Sequence, residues 1–237
     1  MNAPHAATLL RLKGGDALSL LHRISTQALL DLKPGEPRAT LFCDFRGRLL
    51  HRAVVSVAED GAVWLRSETP AAELAAFLDR HIFRDDVALE NRSDETAAEP
   101  SIDERTRIRA GDARHGHEIA EAFNPYEVGL AADVHLDKGC YTGQEALQRL
   151  ITYRSVRREL TRVSGAGAAP TVPADVIRDG EKVGVLTSAA ADESGGWIGL
   201  AVLKKELVSK TATDLAVAGA TLTLEPLPAA CPAGLPT

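Results

Sequence analysis

The run Lys138-Gly139-Cys140-Tyr141-Thr142-Gly143-Gln144-Glu145 sets a cysteine just ahead of what reads as a helix N-terminus. Thr142 and Glu145 have the T-x-x-E spacing of a capping box, and Ala146, Leu147, Leu150 and Ile151 follow with helical spacing. The pattern predicts a helix from about Gly143. A thiol beside helix N–H groups and near the Lys138 ammonium feels positive potential, which favours thiolate and raises its reactivity. Gly139 and Gly143 let the backbone bend tightly around it. The residues alone leave a second reading open, in which Cys140 is a small buried apolar side chain.

Upstream of this run, Ala7 to Leu12 reads as a strand, and Leu18, Leu20, Leu21 and Ile24 recur helically. Arg38 to Phe42 and Leu49 to Val57 read as strands joined through Asp44-Phe45-Arg46-Gly47, with Ala62 to Arg66 continuing the sheet after Asp60-Gly61. Thr69 and Pro70 open a helix carrying Leu74, Phe77, Leu78 and Ile82, and Asp86 to Glu90 is a short strand. Residues 91 to 104 turn polar and read as a linker or exposed loop. Downstream, Glu159 to Val163 is a strand and Ser164 to Pro173 a Gly/Ala/Pro linker. Short β runs then alternate with turn signals at Asp179-Gly180 and Gly195-Gly196, the grammar of a small closed or sandwich-like β domain. The fold class is therefore α+β followed by a β unit.

Length and charge bound the function. With 237 residues, 45% hydrophobic and 25% charged, the chain has ample material for a core. A net charge of −6 argues against direct nucleic-acid binding. No segment approaches the roughly 18 apolar residues of a membrane span, and the first residues lack the regions of a signal peptide, so the expectation is a soluble, cytoplasmic protein without membrane association. Cys43, Cys140 and Cys231 form no C-x-x-C pair, which argues against a disulfide framework, a self-contained zinc site or any tightly bound metal. A cluster usually needs about four thiolates, so any cluster contact by Cys140 would be transient and completed by a partner.

The octapeptide resembles the signature of the YgfZ family, folate-binding relatives of the glycine-cleavage T-protein that support iron–sulfur proteins and are linked to tRNA modification. Other segments resemble the family in the same order: C-D-F-R-G-R at Cys43 to Arg48, L-D-R-H-I-F-R-D-D-V at Leu78 to Val87, R-I-R-A-G at Arg107 to Gly111 with Gly116 and Glu118 following, and V-G-V-L-T-S at Val183 to Ser188. Together they span most of residues 7 to 205.

The resemblance implies a T-protein-like fold of antiparallel sheets with packed helices over residues 1–163, with about 49–97 as an inner subdomain, and a C-terminal β-barrel over 164–237. It implies a site for tetrahydrofolate or a one-carbon derivative. Glu118 would face the pterin, Arg107 the glutamate tail, and Tyr141, Gly143 and Gln144 would line the ligand. Cys140 would carry the chemistry, with Lys138 tuning its charge. Partners would be iron–sulfur client proteins, including tRNA-modifying enzymes. Read without the resemblance, Glu118 and Arg107 suit a surface ion pair.

Three departures bear on activity. Where T-proteins carry a catalytic aspartate, this chain reads Leu49-Leu50-His51-Arg52, which argues against aminomethyl transfer. Gln27 replaces a common acid, and Arg109 replaces a glutamate. The competing functions are a folate-dependent aminomethyltransferase and a non-catalytic binding module that has lost folate. Two further readings come from the residues themselves. Arg149, Arg154, Arg157 and Arg158 around Tyr153 form a basic patch, read first as a solvated helix end whose cations complement the dipole and otherwise as a site for a polyglutamate tail or an RNA backbone. Cys140 could also pair with His51, His81 or His135 as a nucleophile system.

Overall fold

The computed structural model describes residues 7–96, 102–193, 195–210, 212–225 and 227. Cys231 lies outside them. The chain divides into two compact units, the first comprising residues 1–101, 119–122 and 133–149, the second 102–118, 123–132 and 150–237.

The first unit is built on strand alternation. β1 (Thr8–Lys13) buries Thr8, Leu10 and Leu12 and leaves the intervening residues partly exposed, as a half-buried strand must. It pairs antiparallel with β4 (Val63–Ser67) on one side and β5 (Ala88–Asn91) on the other. β2 (Arg38–Cys43) and β3 (Leu49–Val57) extend the sheet beyond β4, giving the order β2-β3-β4-β1-β5. Helix α1 (Ala17–Ile24) buries Ala17, Leu20, Leu21 and Ile24, and α2 (Ala71–Asp79) buries Leu74, Phe77 and Leu78. These side chains share one core with Leu10, Leu12, Phe42, Val55 and Leu65. Burying each large apolar side chain contributes about 2 kcal/mol, so the core rather than helix propensity holds such short helices. Residues 49–91 contribute strands to the same sheet as β1 and β2, so they form no separate inner subdomain.

The second unit is a closed barrel. Its strands are β6 (Arg158–Ala166), β7 (Ala174–Arg178), β8 (Glu181–Ala191), β9 (Gly196–Lys204), β10 (Ala216–Val217) and β11 (Ala220–Glu225), in the order β10-β11-β6-β9-β8-β7. The Ala216↔Ile177 pair between β10 and β7 closes the ring. Val163, Leu186, Trp197, Leu203, Leu222 and Leu224 lie in its core. The barrel thus begins at Arg158, six residues before the expected boundary at 164, because β6 pairs along its whole length with β9 and over residues 162–165 with β11.

Helix α3 (Glu104–Ala110) is capped by Asp103, whose carboxylate accepts from the Thr106 N–H, and it packs on β8 and β9 through Ile108. It begins at the last residue of the segment expected as a linker, 91–104; of that segment, residues 97–101 lie outside the described ones. Helices α4 (Gln144–Thr152) and α5 (Lys205–Ser209) complete the fold.

Candidate functional site

Residues 133–149 belong to the first unit and are tied to it residue by residue. Thr26 is the first tie. Its N–H donates to the Leu41 carbonyl, its hydroxyl donates to the Asp133 carbonyl at 2.6 Å, and its own carbonyl accepts the His135 N–H at 2.9 Å. Asp133 is buried and accepts a 2.7 Å hydrogen bond from Arg52 Nε on β3. Arg52, in the stretch where the family resemblance called for an aspartate, therefore holds the start of the signature segment.

Lys138 and His22 form the second tie, across 116 residues of sequence. Lys138 Nζ donates to the His22 carbonyl, and the His22 ring Nε2 lies 3.1 Å from the Lys138 carbonyl. His22 Nδ1 accepts the Leu29 N–H at 3.0 Å, so the ring is neutral with its proton on Nε2, donated to Lys138. Burial, followed by the nearby Lys138 charge, holds the His22 pKa below its usual value. Lys138 Nζ also stands 5.0 Å from the centroid of the Tyr141 ring, a cation–π contact. Burial pushes the Lys138 ammonium down to about 8.

The third tie joins two of the sequence motifs. Asp44 Oδ1 accepts from the N–H groups of Arg46 at 2.8 Å and Arg48 at 2.7 Å, fixing the β2–β3 turn. Against this turn sits Gly143, at φ 84°, so close that a Cβ there would collide with the Asp44 carbonyl. Gly47, at φ 71°, reciprocates: a Cβ there would lie 3.0 Å from Leu147 Cδ2 on α4. Gly143 is required by close approach as well as by backbone conformation, and Gly47 by its left-handed backbone.

Held in this way, the loop leaves Cys140 exposed. The helix begins at Gln144, one residue later than expected, and its first N–H is taken by the Tyr141 carbonyl at 3.2 Å. The expected capping box does not form: Glu145 reaches forward to Arg149 at 2.6 Å, and Gly143 in the left-handed region makes the helix entry instead. Gln144 Nε2 donates to the Leu136 carbonyl at 2.5 Å, and Tyr141 is buried. Among the described residues Cys140 Sγ has no hydrogen-bond partner, so no preformed Cys–His pair exists there. His51 is buried between the Phe42 and Phe77 rings, His81 Nδ1 bonds the Phe77 carbonyl at 2.8 Å, and His135 Nδ1 accepts the Asp137 N–H at 3.1 Å. The other cysteine, Cys43, is buried at 3% exposure, and burial pushes its pKa up to about 12.

Glu118 and Arg107 lie in the second unit and form a buried ion pair, Arg107 Nη1 to Glu118 Oε2 at 3.1 Å. The alternative that suited these two residues in the sequence is thus present, inside the protein rather than on its surface. Glu118 is 0% exposed. Its Oε1 accepts from Thr187 Oγ1 at 2.5 Å and Ser188 Oγ at 2.7 Å, and its Oε2 also accepts the Arg114 N–H at 3.1 Å. Arg107 spends its remaining donors on Glu104, the Asp112 carbonyl and Ser188 Oγ. All five guanidinium N–H groups are used. The pair fastens α3 to β8.

No family model matches the chain. Over 108 residues it is 39% identical to "Putative transferase At1g60990, chloroplastic" of Arabidopsis thaliana, covering 45% of this chain and 24% of that protein. Over 91 residues it is 37% identical to an aminomethyltransferase of Herpetosiphon aurantiacus, covering 38% of this chain and 25% of the relative. The chain spans about a quarter of the length of these curated relatives. The glycine cleavage system aminomethyltransferase T of Bartonella henselae superposes with a TM-score of 0.77 at 13% identity, over 94% of this chain and 84% of that one. The fold is that of the glycine cleavage T-protein. Within the T-protein fold, the sequence singled out Cys140, Lys138, Tyr141, Gly143 and Gln144 on one loop, and the structure keeps them together. It missed His22, Thr26 and Asp133, which anchor that loop through backbone carbonyls and therefore leave no motif.

Proposed function

We propose that the protein is a tetrahydrofolate-binding accessory factor of the YgfZ type, which supports assembly or repair of iron–sulfur clusters in client enzymes, including those that modify tRNA, in the cytoplasm. The observation that carries this reading is Cys140: a solvent-facing thiol on a loop fastened at Thr26, His22 and Asp44. Such a loop presents a nucleophile to a partner without the partner having to order it. The T-protein fold and the relatives named aminomethyltransferase support a folate ligand.

The donor set fits folate only in part. A pterin's amino-pyrimidone edge needs a carboxylate with free lone pairs, and a glutamate tail needs free N–H donors. Glu118 and Arg107 offer neither while their network is closed, so they serve this reading as positioning residues that fasten α3 to β8. Tyr141, Gly143 and Gln144 would line the ligand from the signature loop, beside Cys140 and Lys138. Aminomethyl transfer is disfavoured by His51 and Arg52, since one is packed in the core and the other is bound to Asp133. The test is genetic. In cells lacking this gene, the wild-type chain should restore the product of an iron–sulfur tRNA-modifying enzyme, and Cys140→Ala, accumulating to the same level, should restore less than about a tenth. Full restoration by Cys140→Ala would overturn the role of the thiol.

A further inference from the structure

Helix α4 ends in a Schellman turn. The Ser155 N–H donates to the Leu150 carbonyl at 2.9 Å and the Arg154 N–H to that of Ile151 at 3.0 Å, the paired bonds of that motif. The residue after the helix cap must then take a left-handed backbone, which is why glycine dominates the position. Here it is an arginine, Arg154, at φ 48°. Among the described residues two other non-glycines have positive φ, Asp179 and Ala218. Each precedes a glycine that also has positive φ, in the hairpins β7–β8 and β10–β11, where strand twist demands that conformation. Arg154 sits in no hairpin, and glycine would make the same turn without the Cβ penalty.

The side chain at this costly position is exposed, and so are those of Tyr153, 74% accessible, and Arg157. Among the described residues neither Arg154 nor Arg157 has an ion pair. The neighbouring cations differ: Arg149 is paired with Glu145 at 2.6 Å and Arg158 with Glu127 at 2.7 Å. Cations do complement the C-terminal end of a helix dipole. That accounts for positive charge nearby, but not for an arginine in a glycine conformation.

We propose that Tyr153, Arg154 and Arg157 form a docking surface for a short acidic segment of a partner protein. Two free guanidinium groups can each take a carboxylate through paired N–H bonds, and tyrosine with arginine is the pairing that concentrates energy at protein interfaces. Size decides against a nucleic acid. One aromatic ring offers no platform for successive bases, and two exposed guanidinium groups match a pair of carboxylates rather than a run of phosphates. The surface does not rest on the folate reading.

The experiment is a titration of the full-length 15N-labelled protein with acetylated octaglutamate and, separately, with dodecauridine, followed by amide NMR shifts. Octaglutamate should saturably shift amides within 150–158, more weakly at high salt. Arg154→Gly should weaken binding about tenfold while raising Tm by about 2 °C, because it relieves the left-handed backbone. Arg157→Ala should weaken binding to a similar degree. Unshifted amides at millimolar peptide, or undiminished binding by Arg154→Gly, would overturn the proposal. So would dodecauridine occupying the same amides at lower concentration.

Discussion

Lys138 is a cation that the fold half-buries for the sake of one carbonyl and one aromatic ring. With a folded pKa of about 8 against 10.5 for the free side chain, the native state binds fewer protons than the unfolded chain between those values. Stability therefore rises with pH across that window, and below about pH 8 the buried charge is a cost. Lys138→Met removes the titration. The wild type should gain about 3 °C in Tm relative to Lys138→Met between pH 8 and 10.5, roughly 1 kcal/mol once partial exposure is discounted. A constant difference across that range would show that Lys138 keeps an ordinary pKa. His22 works in the opposite pH region. Its lowered pKa means that its contribution is complete above about 6.5, and protonation on acidification costs the loop the Leu29 N–H bond.

At the scale of elements, the decisive contact is the signature segment against the β2–β3 turn. Gly143→Ala would place a Cβ on the Asp44 carbonyl in a left-handed backbone, and should destabilise the protein by about 2 kcal/mol or more, read as a lower midpoint in urea denaturation. An unchanged midpoint would mean that the turn and loop separate freely. This contact marks a limit of sequence reading. The glycines of K-G-C-Y-T-G and D-F-R-G were visible as bends, but nothing in either motif announces that one packs on the other. The predicted capping box failed for a related reason, since Gly143 fixes the helix entry through its contact with Asp44 and leaves Glu145 to pair with Arg149. Strands β1 to β4 and helices α1 and α2 were legible because alternation and helical spacing record a buried face directly. Helix α3 was not, because it buries Ile108 and the Arg107 guanidinium together, and a charged residue at a core position reads as surface.

For the whole molecule, order along the chain was more informative than any local pattern. The α+β region followed by a barrel agrees with the T-protein fold, which matches over 94% of the chain at only 13% identity. The boundary was misplaced because Glu159 to Val163 reads as a strand without saying which sheet it joins; its pairing with β9 and β11 is a tertiary fact. The site divides similarly. The signature loop gathered its own residues, whereas Glu118 and Arg107, chosen by resemblance, closed on each other. The central claim, a folate ligand on this fold, is tested most directly by calorimetric titration of the purified protein with tetrahydrofolate and its 5-formyl analogue, wild type beside Cys140→Ala. Saturable one-to-one binding, retained by Cys140→Ala, is the predicted result. Absence of binding at millimolar ligand would contradict it.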